Sequence, residues 1–185
     1  MADTLYRSQV LPSDVFAALP EGLSVTIESH VAMAGLRLRD LAEVLNTTPP
    51  VQPNTWAATP DGQMVWLGPD EWLVTSRDQQ PHELESTLRE AVKERGGAAV
   101  DVSAQRLSLR LSGVLARDLL SLGCSLDLHP SVFTVGSSAQ TALGMTNVVL
   151  LALDSAGEDY RIFVRSSFAG YLADWIVDAS AEYVN

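Results

Sequence analysis

Three histidines, His30, His82 and His129, and a single cysteine, Cys124, are the side chains of this 185-residue chain best suited to proton transfer, nucleophilic attack or metal binding. Their spacing gives little support to any of these. No pair stands as H-x-H or H-E-x-x-H, the patterns that aim two ring nitrogens at one catalytic metal. One cysteine makes neither a disulfide framework nor a multi-cysteine metal site. His82 follows Pro81 in the first turn of an expected helix, a surface position. His129 precedes Pro130 and suits loop hydrogen bonding better than catalysis. Cys124, between Gly123 and Ser125, is either a reactive thiol or a small buried hydrophobe at a helix end, and the second is simpler. G-x-S-x-G, P-loop and G-x-G-x-x-G patterns are all missing, so the chain has no nucleotide fingerprint of its own.

The charged residues give further candidates. Asp101 falls on an expected strand between Val100 and Val102, where its carboxylate either meets a polar ligand or pairs with Arg106 or Arg110; pairing is the plainer expectation. Asp127, in "LDLHP", reads as a cap or turn residue. Arg161 and Arg165 alternate with Tyr160, Ile162 and Val164. They form a solvated strand face or, alternatively, contact carboxylates across an interface. Trp66 and Trp72 flank Gly68-Pro69-Asp70 in "MVWLGPDEWLVTS". Proline and aspartate fit the centre of a tight turn, so a hairpin accounts for the pair without a ligand. No catalytic, cofactor-binding or metal residue is assigned.

The elements that must position these residues follow from pattern. Leu23, Val25 and Ile27 share a strand face, and Val31 and Met33 continue into a second strand. Residues 40–46 fit one or two helical turns, and the prolines of "NTTPPVQPNT" impose an irregular loop. "QMVWLG" and "EWLVTS" make the hairpin. A helix follows from Pro81, with Leu84, Leu88 and Val92 four residues apart and Gly96-Gly97 as its stop. "AAVDVS" and "RLSLRLS" are strands. A short helix runs between Gly113 and Gly123, residues 124–144 are less regular, and "TNVVLLAL" and "DYRIFVR" pair around Gly157. The last helix starts at Ser166 or Ser167 with a serine N-cap. Its apolar stripe is Phe168, Tyr171, Leu172, Trp175, Ile176 and Ala179. Helices interleaved with hairpins predict an α+β fold, an antiparallel sheet with helices on one side. The expected organisation is an N-terminal extension, 1–22, available to a partner, and one α+β domain, 23–185.

The formal net charge is −11, with 23 acidic and 12 basic residues, and it argues against nucleic acid or an anionic membrane surface as partner. No run approaches the roughly 18 apolar residues of a membrane span. The N-terminus lacks the basic and apolar regions of a signal peptide, and a cytoplasmic location is expected.

"WLGPDEWLV" (66–74), "DVSAQRLSLRLSGVLARDLLSLGCSLDLHP" (101–130), "FTVGSSAQTAL" (133–143) and "YRIFVRSSFAGYLADWIVDA" (160–179) together resemble the gamma subunit of heterotetrameric sarcosine oxidase. The resemblance implies a complex that oxidatively demethylates sarcosine to glycine, with tetrahydrofolate as one-carbon acceptor. It implies FAD, FMN, NAD and tetrahydrofolate on other subunits. It also implies alpha, beta and delta subunits as partners, chiefly alpha, and a ferredoxin-like fold resembling the folate-binding domain of aminomethyltransferases. Three functions are then weighed. The first is a non-catalytic assembly subunit, with Trp56, Tyr6 and the proline-rich loop as candidate anchors. The second is an independent folate-dependent one-carbon transferase using Asp101. The third is an iron–sulfur maturation factor, disfavoured because the segment around Cys124 has neither the lysine nor the Gly-Gln of that family's K-G-C-x-x-G-Q motif. The first is the expectation carried forward.

Overall fold

The computed structural model describes residues 10–39 and 43–184. Among them the chain forms β1 (Ser24–Glu28), β2 (Ala32–Arg37), β3 (Trp56–Ala58), β4 (Gly62–Gly68), β5 (Glu71–Ser76), α1 (Pro81–Val92), β6 (Ala98–Asp101) and β7 (Arg106–Ser112). Then come α2 (Ala116–Ser121), β8 (Ser138–Leu143), β9 (Thr146–Ala152), β10 (Asp159–Arg165) and α3 (Ala169–Ser180). The strands make two antiparallel sheets, in the orders β1-β7-β10-β9-β8 and β3-β4-β5-β2-β6. The chain divides into two compact units. One holds the described residues up to Glu28, with Ala104–Val135 and those from Thr141 on; the other holds Ser29–Ser103 and Gly136–Gln140.

In the second unit, β5 and β6 flank β2 and are joined through α1, a split β-α-β arrangement of the ferredoxin type. The four-residue spacing of Leu84, Leu88 and Val92 puts all three on one helix face. They lie in one core with Ala34, Leu36, Met64, Trp72 and Val74. Burying three such side chains contributes on the order of 5–9 kcal/mol before chain entropy is counted. The Glu83 carboxylate accepts the Gln80 N–H at 2.9 Å and caps the start of α1. Gly96, at φ 63°, ends the helical stretch. The tryptophan hairpin belongs to this core. Trp66 pairs with Trp72 across the ladder, with a register shift between Trp66 and Gly68. Trp72 is fully buried and its indole N–H donates to the Pro50 carbonyl at 2.8 Å. The proline-rich loop thus supplies the acceptor that a buried indole requires.

In the first unit, β7 and β9 flank β10, with α2 between them in the chain, and β1 closes on the free side of β7. Leu109, Leu111, Tyr160 and Ile162 point to one face, and α3, which packs on β10, buries Leu172 and Ile176. Ser108, Val149, Leu151, Arg161 and Phe163, which alternate with that set, are buried too. Burial on both faces explains why "TNVVLLAL" is continuously apolar instead of alternating.

Several local expectations are corrected. The helical turns expected at 40–46 do not form over the described part: Val44 and Thr47 bridge across a tight turn with Leu45 and Asn46 at φ 54° and 56°. Residues 40–42 lie outside the described residues. β1 and β2 follow one another in sequence but join different sheets. A strand, β8, runs through part of the segment expected to be less regular. No serine caps α3: Phe168 occupies that position, and the Ser166 hydroxyl donates to the Ala104 carbonyl at 2.9 Å.

Candidate functional site

The residues with chemical potential are dispersed, and most have structural employment. His30 sits in the exposed turn before β2 at φ 67°, and His82 is exposed in the first turn of α1. His129 Nδ1 lies 2.7 Å from the Ser131 hydroxyl, and the His129 N–H donates to Asp127 at 2.9 Å. The L-D-L-H-P segment is therefore a side-chain-stabilised turn, with Asp127 in the turn role its sequence predicts. Cys124 is buried just past α2, its sulfur 3.8 Å from the Thr141 hydroxyl. Asp101 pairs with neither arginine considered for it. Its carboxylate accepts the Ser103 N–H at 2.9 Å and the Ser103 hydroxyl at 2.6 Å, and the same hydroxyl accepts the Met33 N–H at 2.8 Å. That arrangement stitches the end of β6 to β2. Among the described residues, no group of three or more His, Cys, Asp or Glu side chains is placed to hold a metal ion.

Arg161 overturns the expectation of a solvated strand face. Its guanidinium donates in bidentate fashion to Glu28, 2.6 Å to each carboxylate oxygen, with side-chain exposures of 7% and 13%. The Ser108 hydroxyl adds a third bond to Glu28 at 2.6 Å. One strand register away, Arg110 donates to Asp159 at 2.9 and 2.5 Å. That hydrogen bond holds the Arg110 guanidinium proton more tightly than usual. Arg161 and Arg110 face each other across β10 and β7, so each arginine needs its own carboxylate. Arg165, four residues on, is exposed as expected. Glu28, 133 residues from Arg161, carries no local sequence signal that would have found it.

A shallow, open depression of about 530 Å³ lies where the end of α2 and the β8–β9 turn meet α3. Two glycines shape it. A Cβ on Gly123 would fall 2.4 Å from the Trp175 ring, and one on Gly144, at φ 58°, would fall 2.7 Å from the Tyr171 hydroxyl. That hydroxyl accepts the Met145 N–H at 2.9 Å. Leu122, Met145, Tyr171 and Trp175 supply apolar walls. No acid, base and nucleophile converge there, so the arrangement suits contact with an apolar surface better than bond-making.

Two antiparallel sheets with split β-α-β units define an α+β fold. The chain superposes on glycine cleavage system aminomethyltransferase T from Bartonella henselae with a TM-score of 0.63, covering 89% of this chain and 48% of that one. Identity there is 10%, a likeness of fold alone. The particular family is narrower: the chain belongs to the sarcosine oxidase, gamma subunit family, whose model matches residues 41–182. Sarcosine oxidase subunit gamma of Corynebacterium sp. (strain P-1) is 34% identical over 146 residues, covering 78% of this chain and 70% of that one. The protein of the same description from Corynebacterium sp. (strain U-96) is 35% identical over 120 residues, covering 65% and 57%. Among solved structures, a chain of heterotetrameric sarcosine oxidase from Corynebacterium sp. U-96, in complex with pyrrole 2-carboxylate, matches with a TM-score of 0.79 and 27% identity. It covers 91% of this chain and 90% of that one.

Proposed function

We propose that this chain is a non-catalytic subunit that supports assembly and stability of a heterotetrameric sarcosine oxidase, which demethylates sarcosine to glycine with tetrahydrofolate as one-carbon acceptor. The observation that carries the reading is the match, along nine-tenths of both chains, to a chain of a heterotetrameric enzyme of that name. The internal engagement of Asp101, Asp127 and Arg161 is consistent with it. In this reading FAD, FMN, NAD and tetrahydrofolate sit on other subunits, and the alpha subunit is the chief partner beside beta and delta. The setting is cytoplasmic; no described helix is long and apolar enough to cross a membrane.

The test is co-expression of the large subunits with and without this chain, followed by size-exclusion chromatography, thermal melting and sarcosine turnover. The chain should co-elute, and its omission should lower yield or melting temperature more than turnover per intact flavin. A chain that elutes alone refutes the reading. Calorimetry with tetrahydrofolate separates the rival function: micromolar binding by the isolated chain would make it a folate protein in its own right.

A further inference from the structure

The outward face of α3 holds side chains that helical packing does not explain. At 100° per residue, Phe168, Tyr171 and Trp175 share a side with Asp174, Asp178 and Glu182, opposite buried Ala169, Ala173, Ile176 and Ser180. Phe168 is 46% exposed and Tyr171 38%. Beside them, the β8–β9 turn places Met145 at 89% exposure and the end of α2 places Leu122 at 49%. A two-residue hairpin tip ordinarily carries a polar residue after its glycine, and a methionine fully in water gains nothing there. Met and aromatic side chains are the types enriched where proteins bury surface against one another.

The charges on the same face say what covers it. Asp178 lies in the last turn of α3 and Glu182 just beyond it, with no basic residue in that turn. Acidic groups there oppose the negative end of the helix dipole. Among the described residues Asp174, Asp178 and Glu182 form no salt bridge. The dipole and the acids leave a negative rim complementary to a cationic surface. We propose that this face, Leu122, Met145, Phe168, Tyr171 and Trp175 with the acidic rim of α3, docks an apolar, Lys- or Arg-rimmed surface of another subunit of the heterotetramer. The inference rests on the assembly role proposed above and names the surface that performs it.

The experiment uses the co-expressed complex. Leu122→Asp and Met145→Asp change exposed side chains, so each isolated chain should keep its circular dichroism and a melting temperature within about 2 °C of the parent. Each should reduce co-elution of the chain with the large subunits by about tenfold or more. Asp174→Asn with Asp178→Asn should weaken co-elution at low salt and flatten its salt dependence. If the unaltered chain co-elutes and all three variants do so equally at every salt concentration, the surface is wrong and the assembly role stands. If the unaltered chain does not co-elute, the assembly role fails and takes the surface with it. If the isolated chain is a dimer that Met145→Asp disperses, the occupant is a second copy and the proposal is overturned.

Discussion

Replacing Glu28 by alanine tests the buried charge cluster most directly. The substitution removes the acceptor of both Arg161 bonds and of the Ser108 hydroxyl while leaving a guanidinium that is 7% exposed. Breaking a buried pair from one side costs about 3–5 kcal/mol, because the remaining charge has lost a carboxylate that offset its desolvation. Here the cost should fall toward the upper end, since Arg161 also faces Arg110 across the ladder and Asp159 is already engaged. For a chain of this size the loss corresponds to a melting temperature lower by roughly 6–20 °C. Urea unfolding of the isolated chain, followed by far-ultraviolet circular dichroism, measures it. Arg37→Ala is the internal standard, since the Arg37–Glu71 pair has side chains 59% and 39% exposed and should cost about 0–1 kcal/mol. The double variant Glu28→Met with Arg161→Met should recover most of the loss, because no charge is left buried. If Glu28→Ala costs no more than Arg37→Ala, the cluster is wet and the reasoning fails.

Three further outcomes are expected. Burial pushes the Tyr160 phenol up to about 12, from an unfolded value near 10, so its contribution to stability is intact below about pH 10 and lost as pH rises through about 12. Absorbance at 295 nm should therefore show a late tyrosine transition that Tyr160→Phe removes, and a titration with only ordinary midpoints would contradict the burial. Gly123→Ala must move the Trp175 ring or part the end of α2 from the β8–β9 turn, and should cost about 1–3 kcal/mol with a change in tryptophan fluorescence; an unaltered spectrum and midpoint would show the site is loose. Asp154→Ala removes the acceptor of the Gly157, Glu158 and Asp159 N–H groups and should lower stability by about 1–2 kcal/mol in urea, with hydrogen exchange fastest at those three amides.

What local pattern encodes was readable. The spacing of Leu84, Leu88 and Val92 marks α1, Gly-Pro-Asp marks the β4–β5 turn, and Gly157 marks the β9–β10 turn. The α+β class followed from their order. What depends on distant partners was not readable. β1 and β2 alternate alike, yet one pairs with Leu111 and Leu109 and the other with Val74 and Val100. The left-handed Leu45 and Asn46 give no sign of themselves in a sequence that also suits a helical turn. The stripe of α3 misled for a simpler reason: hydropathy puts Phe168 and Tyr171 with Leu172 and Ile176, whereas only the second pair is buried. Asp101 and Arg161 found partners at opposite extremes, two residues away and 133 residues away.

The position of β1 shapes how the chain is made. Every strand of the β3-β4-β5-β2-β6 sheet has left the ribosome by Asp101, while β1, synthesised before all of them, gains its neighbour only when Arg106–Ser112 emerges. During that interval Val25 and Ile27 belong to an unpaired strand whose amides and carbonyls can template onto another nascent chain. Glu28 stays without Arg161 for longer still, until β10 is complete. A charge at the end of an unpaired strand is the kind of residue that disfavours pairing with another chain, and in the folded protein the same carboxylate is half of the buried pair.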